Sequence, residues 1–94
     1  MRLYTLVLDH RGGTYLSQLD ADDEIAAVSA WCHRLRDEQW LGADSSAVAN
    51  AILREDLADG VVALEGLHGV WCTTAAVGEG LALLNVIRSA RADA

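Results

Sequence analysis

The sequence predicts an α+β domain in the order β-β-α-α-β-β-β, with a mostly antiparallel sheet and two helices packed on one of its faces. Three observations lead there. β-prone runs flank short glycine turns at both ends of the chain, two stretches with apolar residues at helical spacing lie between them, and acidic or serine clusters precede those two stretches. The 94 residues suffice for one domain, 1–94, and a hydrophobic content of 52% argues for a globular chain rather than a disordered one.

The first strand is Leu3 to Asp9 and the second Thr14 to Leu19. Between them Arg11 and Gly12 form the loop, because glycine supplies positive φ without steric cost. That turn sets Leu8 opposite Tyr15, Leu6 opposite Ser17 and Tyr4 opposite Leu19. Asp20-Ala21-Asp22-Asp23-Glu24 then opens a helix, with Asp20 or Asp22 as the cap and the other acids favoured at its positive end. Ile25, Val28, Cys32 and Leu35 recur at helical spacing beside Trp31, and the helix ends near Gln39. Trp40-Leu41-Gly42 is an apolar corner expected to tuck onto the core.

Asp44-Ser45-Ser46 caps a second helix bearing Val48, Ile52, Leu53 and Leu57, with Gly60 as its C-cap. Val61 to Glu65 reads as a third strand. The strongest local signal follows: Gly69 to Val77, then Gly78-Glu79-Gly80, then Leu81 to Ser89, a β-hairpin. With a three-residue loop Val77 faces Leu81, Trp71 faces Ile87 and Thr73 faces Asn85. Neither face is strongly polar, so both are expected to be covered, one by the helices and the other by a partner or another element. Residues 88–94 turn small and polar and are expected to fray.

Fourteen acids stand against seven arginines and no lysine, a net charge of −7. That balance disfavours nucleic acid, whose phosphates require a basic patch, and suits a basic protein partner. No apolar run reaches the ~18 residues of a membrane span. The opening residues, which meet Asp9 and His10 early, do not read as a signal peptide, so the expected compartment is the cytoplasm.

Metal and catalytic patterns are weak. Cys32 adjoins His33, but neighbours on a helix diverge by about 100°, and the chain has no Cys-x₂-Cys or His-x₃-His pair. Cys72 with His10 or His68 would need an electropositive setting to form a thiolate; its apolar neighbours indicate packing, as a small buried hydrophobe. Arg11-Gly12-Gly13-Thr14 joins two strands rather than opening a helix, so it is a turn and not a phosphate loop. The acids at 20–24 lack the spacing of a calcium loop. No catalytic residue, cofactor or metal is expected. Trp31, Trp40 and Trp71 all have core explanations, but Trp71 is the best interface candidate because its hairpin face has no obvious second cover.

Gly12 to Gln18, Trp31, Gly66-Leu67, Val70-Trp71-Cys72 and Asn85-Val86-Ile87 together resemble a group of short bacterial proteins of uncharacterised function. These share a Gly-Gly-Thr-Tyr-x-Ser-Gln hairpin and a Val-Trp-Cys strand. The resemblance covers both hairpins and the first helix and implies no particular activity. In size, acidity and architecture the chain is also similar to immunity proteins that neutralise bacterial toxins. The expectation is a non-enzymatic protein-binding domain, such as an immunity-type inhibitor of a basic toxin. Asp37, Glu38, Glu55, Asp56 and Asp59 would then steer association and Trp71 would anchor it. The alternatives are a self-associating homodimeric module and, third, a small enzyme using Cys72 or a histidine.

Overall fold

The computed structural model describes residues 1–91. Five strands form one antiparallel sheet: β1 (Arg2–His10), β2 (Gly13–Ala21), β3 (Val62–Ala63), β4 (Val70–Val77) and β5 (Gly80–Ser89). Their order is β2-β1-β5-β4-β3, so β1 and β5 sit side by side and join the two hairpins. Between β2 and β3 come α1 (Glu24–Glu38), a 3₁₀ turn (Gly42–Asp44), α2 (Ser45–Arg54) and the single-turn α3 (Leu57–Gly60).

The N-terminal hairpin has the expected register, with Leu8 opposite Tyr15 and Tyr4 opposite Leu19. Arg11 (φ 49°) and Gly12 (φ 78°) both adopt positive φ, as a type I′ turn requires, and that turn matches the twist of the strands it joins.

The C-terminal hairpin differs from expectation by one residue. Val77 pairs with Gly80 across a two-residue turn, so Trp71 faces Val86, Thr73 faces Leu84 and Asn85 faces Cys72. Gly78 explains the tighter turn: its φ of 58° suits the first position of a type II′ turn. Because side chains alternate, the shift moves every β5 residue to the other face relative to β4. Ala82, Leu84 and Val86 thereby join Thr73, Ala75 and Val77 in the interior, and Leu81, Leu83, Asn85 and Ile87 join Val70, Cys72 and Thr74 outside it.

Helix boundaries differ for local reasons. β2 runs on to Ala21 and takes Asp20 with it, so Asp23 caps α1 and accepts from the Ala26 N–H at 2.7 Å. Gln39 closes α1 in the left-handed conformation, at φ 55°. The second helical stretch breaks at Glu55, because Asp56 is extended and its side chain accepts from the Ala58 N–H at 3.1 Å. Short acidic side chains compete in this way with the helix's own bonding. Gly60 is therefore the last residue of α3 and not the cap of α2, and the third strand shrinks to Val62–Ala63. Arg88 and Ser89, expected to fray, belong to β5, and Arg91 pairs with Asp20. The rest of the expected tail, 92–94, lies outside the described residues.

One hydrophobic core unites these elements. Tyr4, Leu6 and Leu8 of β1 and Leu84 and Val86 of β5 are sealed from solvent with Val28, Trp31, Cys32 and Leu35 of α1 and Val48 and Ile52 of α2. Each fully buried Leu or Val side chain contributes about 1.5–3 kcal/mol, so this set dominates the stability of so small a domain. Trp40 and Leu41 pack against it from the corner after α1. The buried Trp31 indole satisfies its N–H by donating to Ser17 Oγ at 2.9 Å.

Candidate functional site

Among the described residues the cysteines are not brought together with the histidines. Cys32 is buried, and desolvation pushes its thiol up to about 12, against an opposing pull from the Arg36 guanidinium. A thiol so protonated is a poor nucleophile. Cys72 is half-buried rather than the buried filler expected, and it alternates with the core residues of β4. His10 faces the interior, so the sheet separates its ring from Cys72. His10 Nε2 lies 3.2 Å from Asp44 Oδ2, and Arg11 Nε lies 3.5 Å from the same oxygen. Asp44, expected among the caps of the second helix, thus ties the first hairpin to the start of α2. His33 and His68 are exposed. Among the described residues no three Cys, His, Asp or Glu side chains converge as metal ligands, and no helix is long and apolar enough to cross a membrane.

A groove of about 570 Å³ runs between β2 and α1. Leu8, Trp31 and Leu35 line it below, and Tyr15, Arg34 and Trp40 line it nearer the surface. Arg34 stacks 5.6 Å from the Trp40 ring centre, donates to Glu38 Oε2 at 3.2 Å and to the Gln18 carbonyl at 3.3 Å. Its guanidinium therefore occupies one carbonyl on the edge of β2, where an unpaired row would offer a template for strand addition.

Of the residues expected to meet a partner, Trp71 is placed differently from its sequence assignment. It alternates with Cys72 on the same side as Thr73 and Ala75, is half-buried, and packs against Tyr4 with ring centres 6.2 Å apart. Its face is thus the one that contributes to the core. Asp37, Glu38, Glu55, Asp56 and Asp59 are all exposed. Glu38 is engaged with Arg34, and Asp56 caps α3. The first two sit at the end of α1 and the other three in and around α3, so they form two groups rather than one.

The sheet face expected to be covered by a partner or another element is the alternate one, and what sequence reasoning missed is which residues compose it. Its central row runs Leu16, Val7, Asn85, Cys72 and Val62 from β2 to β3. On one side of that row stand Gln18, Thr5, Ile87 and Val70, and on the other Thr14, Asp9, Leu83 and Thr74. Leu16 is 70% exposed, Leu81 60% and Val62 53%, high values for residues of this size on a regular sheet. Hydroxyl and amide groups near its border satisfy one another: Thr5 Oγ1 lies 2.7 Å from Ser89 Oγ, Gln18 Nε2 donates to Thr5 Oγ1, and Thr14 Oγ1 donates to Asp9. Only the correct β5 register reveals this face.

Fold and surface together define a small α+β domain built on a five-stranded antiparallel sheet. No protein-family model matches the chain, and comparison with curated proteins and with solved structures finds no similar one.

Proposed function

We propose that the chain is a non-enzymatic protein-binding domain, in which α1 and α2 cover one face of the sheet and the opposite face docks a partner. The observation that carries this reading is the row Leu16, Val7, Asn85, Cys72, Val62 with the exposed Leu81 beyond it. Leu16, Val62 and Leu81 are exposed and Val7, Cys72 and Asn85 half-buried between them, and large apolar side chains left accessible across one sheet face mark an interaction surface. The alternation of buried and half-exposed residues along β1, β4 and β5 supports one covered and one open face. The high thiol pKa of Cys32 and the separation of Cys72 from His10 favour binding over catalysis.

A second surface supports the immunity-type version of the same reading. Asp37, Glu55 and Asp59 are exposed and unpaired among the described residues, and charges so placed steer a basic partner without contributing much to final affinity. Titration against the purified basic products of the genes that flank this chain's gene tests it. Nanomolar binding is expected, with Asp37→Asn, Glu55→Gln and Asp59→Asn together lowering the association rate about tenfold. No binding, or a rate untouched by the triple change, overturns the immunity-type reading.

A further inference from the structure

We infer that the occupant of the open sheet face is a second copy of this chain, with Asn85 meeting its own counterpart at the centre of the interface. The inference rests on the docking role proposed for that face and names its partner.

Charge is the first argument. The chain carries −7 overall, so two copies meeting by most other surfaces would bring acids against acids. The rows of the open face carry only Asp9 and Asp20 as charged groups, both towards its border. Asp20 is paired with Arg91, and Asp9 accepts from Thr14 Oγ1 at 2.8 Å. This is the surface on which a strongly acidic protein can meet itself.

Symmetry is the second. Two sheets packed face to face as identical copies are related by a two-fold axis lying in the plane between them. For aligned packing of the two sheets, an axis through the face's centre runs close to the central row or close to β5. The first choice sets Asp9 against the partner's Thr5, and the second sets it against the partner's Thr74, so no carboxylate meets a carboxylate. Under both choices Asn85, in the middle strand of five and the middle row, meets itself.

The chemistry of Asn85 is the third argument. Its lateral neighbours are Val7 and Cys72, and no side-chain hydrogen bond holds its amide among the described residues. A primary amide has both a donor and an acceptor, so two amides across a two-fold axis satisfy each other with a pair of N–H···O bonds. A lone polar residue at the centre of an apolar interface also specifies register, as a buried Asn does in coiled coils.

Area is the fourth. β1, β2, β4 and β5 have eight to ten residues each. At ~3.3 Å per residue and ~4.8 Å between strands, they present about 27 Å by 19 Å in projection. Side-chain relief raises the accessible area above that projection, towards the roughly 600 Å² per partner of the smallest stable interfaces.

Sedimentation equilibrium of the full chain, with an apolar fluorescent dye as a second probe, tests the inference. The wild type is expected to be a dimer at low micromolar concentration and dark towards the dye. Leu83→Arg is expected to sediment as a folded monomer, with an unchanged far-ultraviolet dichroism spectrum and at least a tenfold weaker self-association. Asn85→Asp supplies the second variant. Its paired carboxylates should split the dimer at pH 7 and allow it to re-form near pH 4. A wild-type monomer that binds the dye, with binding lost in Leu83→Arg, overturns the second copy but upholds the face as a docking surface. A wild-type monomer that stays dark overturns both. A dimer unaffected by Leu83→Arg and Asn85→Asp uses another surface and overturns the inference.

Discussion

Cys32 and Cys72 are the same residue type in opposite circumstances. Cys32 sits at 0% exposure between α1 and the rest of the core, and removal from water favours its neutral thiol, pushed up to about 12 from 9.0. Cys72 is half-buried on the alternate face. Leu83→Arg protein, expected to be a folded monomer with this face uncovered, should therefore be modified by iodoacetamide at mildly alkaline pH at Cys72 and spared at Cys32 until it unfolds, as peptide mass mapping would read. The same shift has a consequence for stability. Between pH 9 and about 12 the unfolded chain releases the Cys32 proton while the folded chain keeps it, so stability falls as pH rises through that window and is full below it. Cys32→Ala should remove this part of the alkaline slope while costing about 1–2 kcal/mol at neutral pH through the cavity it leaves. Melting curves of both proteins from pH 7 to 11 check both statements; equal slopes would refute the assignment.

At the scale of elements, β5 decides what the molecule presents to solvent. In the observed register Leu84 is sealed at 0% exposure opposite Thr73, whereas Leu83 lies half-buried opposite Thr74. Leu84→Ala should cost about 2–5 kcal/mol, and Leu83→Ala under about 1 kcal/mol in the monomer. Urea denaturation at low protein concentration measures the difference, and comparable losses would mean that the hairpin is paired otherwise. This strand also shows how far the chain was legible. The register of the first hairpin could be read because the Arg11-Gly12 turn fixes it, although both strands run one or two residues past their expected ends. The second hairpin was recognised but slipped, because both faces of β5 are apolar (Ala82, Leu84 and Val86 on one, Leu81, Leu83 and Ile87 on the other) and the alternating pattern could not choose between a two- and a three-residue loop. The break at Asp56 and the shortening of β3 escaped for a different reason. The first depends on the Asp56 side chain bonding its neighbouring backbone and the second on a turn in which the Leu67 N–H donates to the Leu64 carbonyl, and neither leaves a periodic signal. The make-up of the open face was misassigned as a consequence of the slip, since the incorrect register mixed core and surface residues and pointed to Trp71 instead.

For the molecule as a whole, charge and apolar surface are separated, and that separation makes opposite predictions for its two proposed partners. Acids such as Asp37, Glu55 and Asp59 lie in and around the helices, while the rows of the open face hold only Asp9 and Asp20. A dimer formed through that face joins two bodies of charge −7 without bringing opposite charges together. Added sodium chloride screens their mutual repulsion as the Debye length falls from ~10 Å at 0.1 M to ~3 Å at 1 M. Salt should therefore tighten self-association several-fold across that range. Binding to a basic protein draws on attraction instead, and the same salt should slow its association about tenfold or more. Sedimentation and stopped-flow mixing over one salt series can follow both. Self-association that weakens with salt would mean that ion pairs hold the copies together, and the nearly uncharged sheet face would then be the wrong surface.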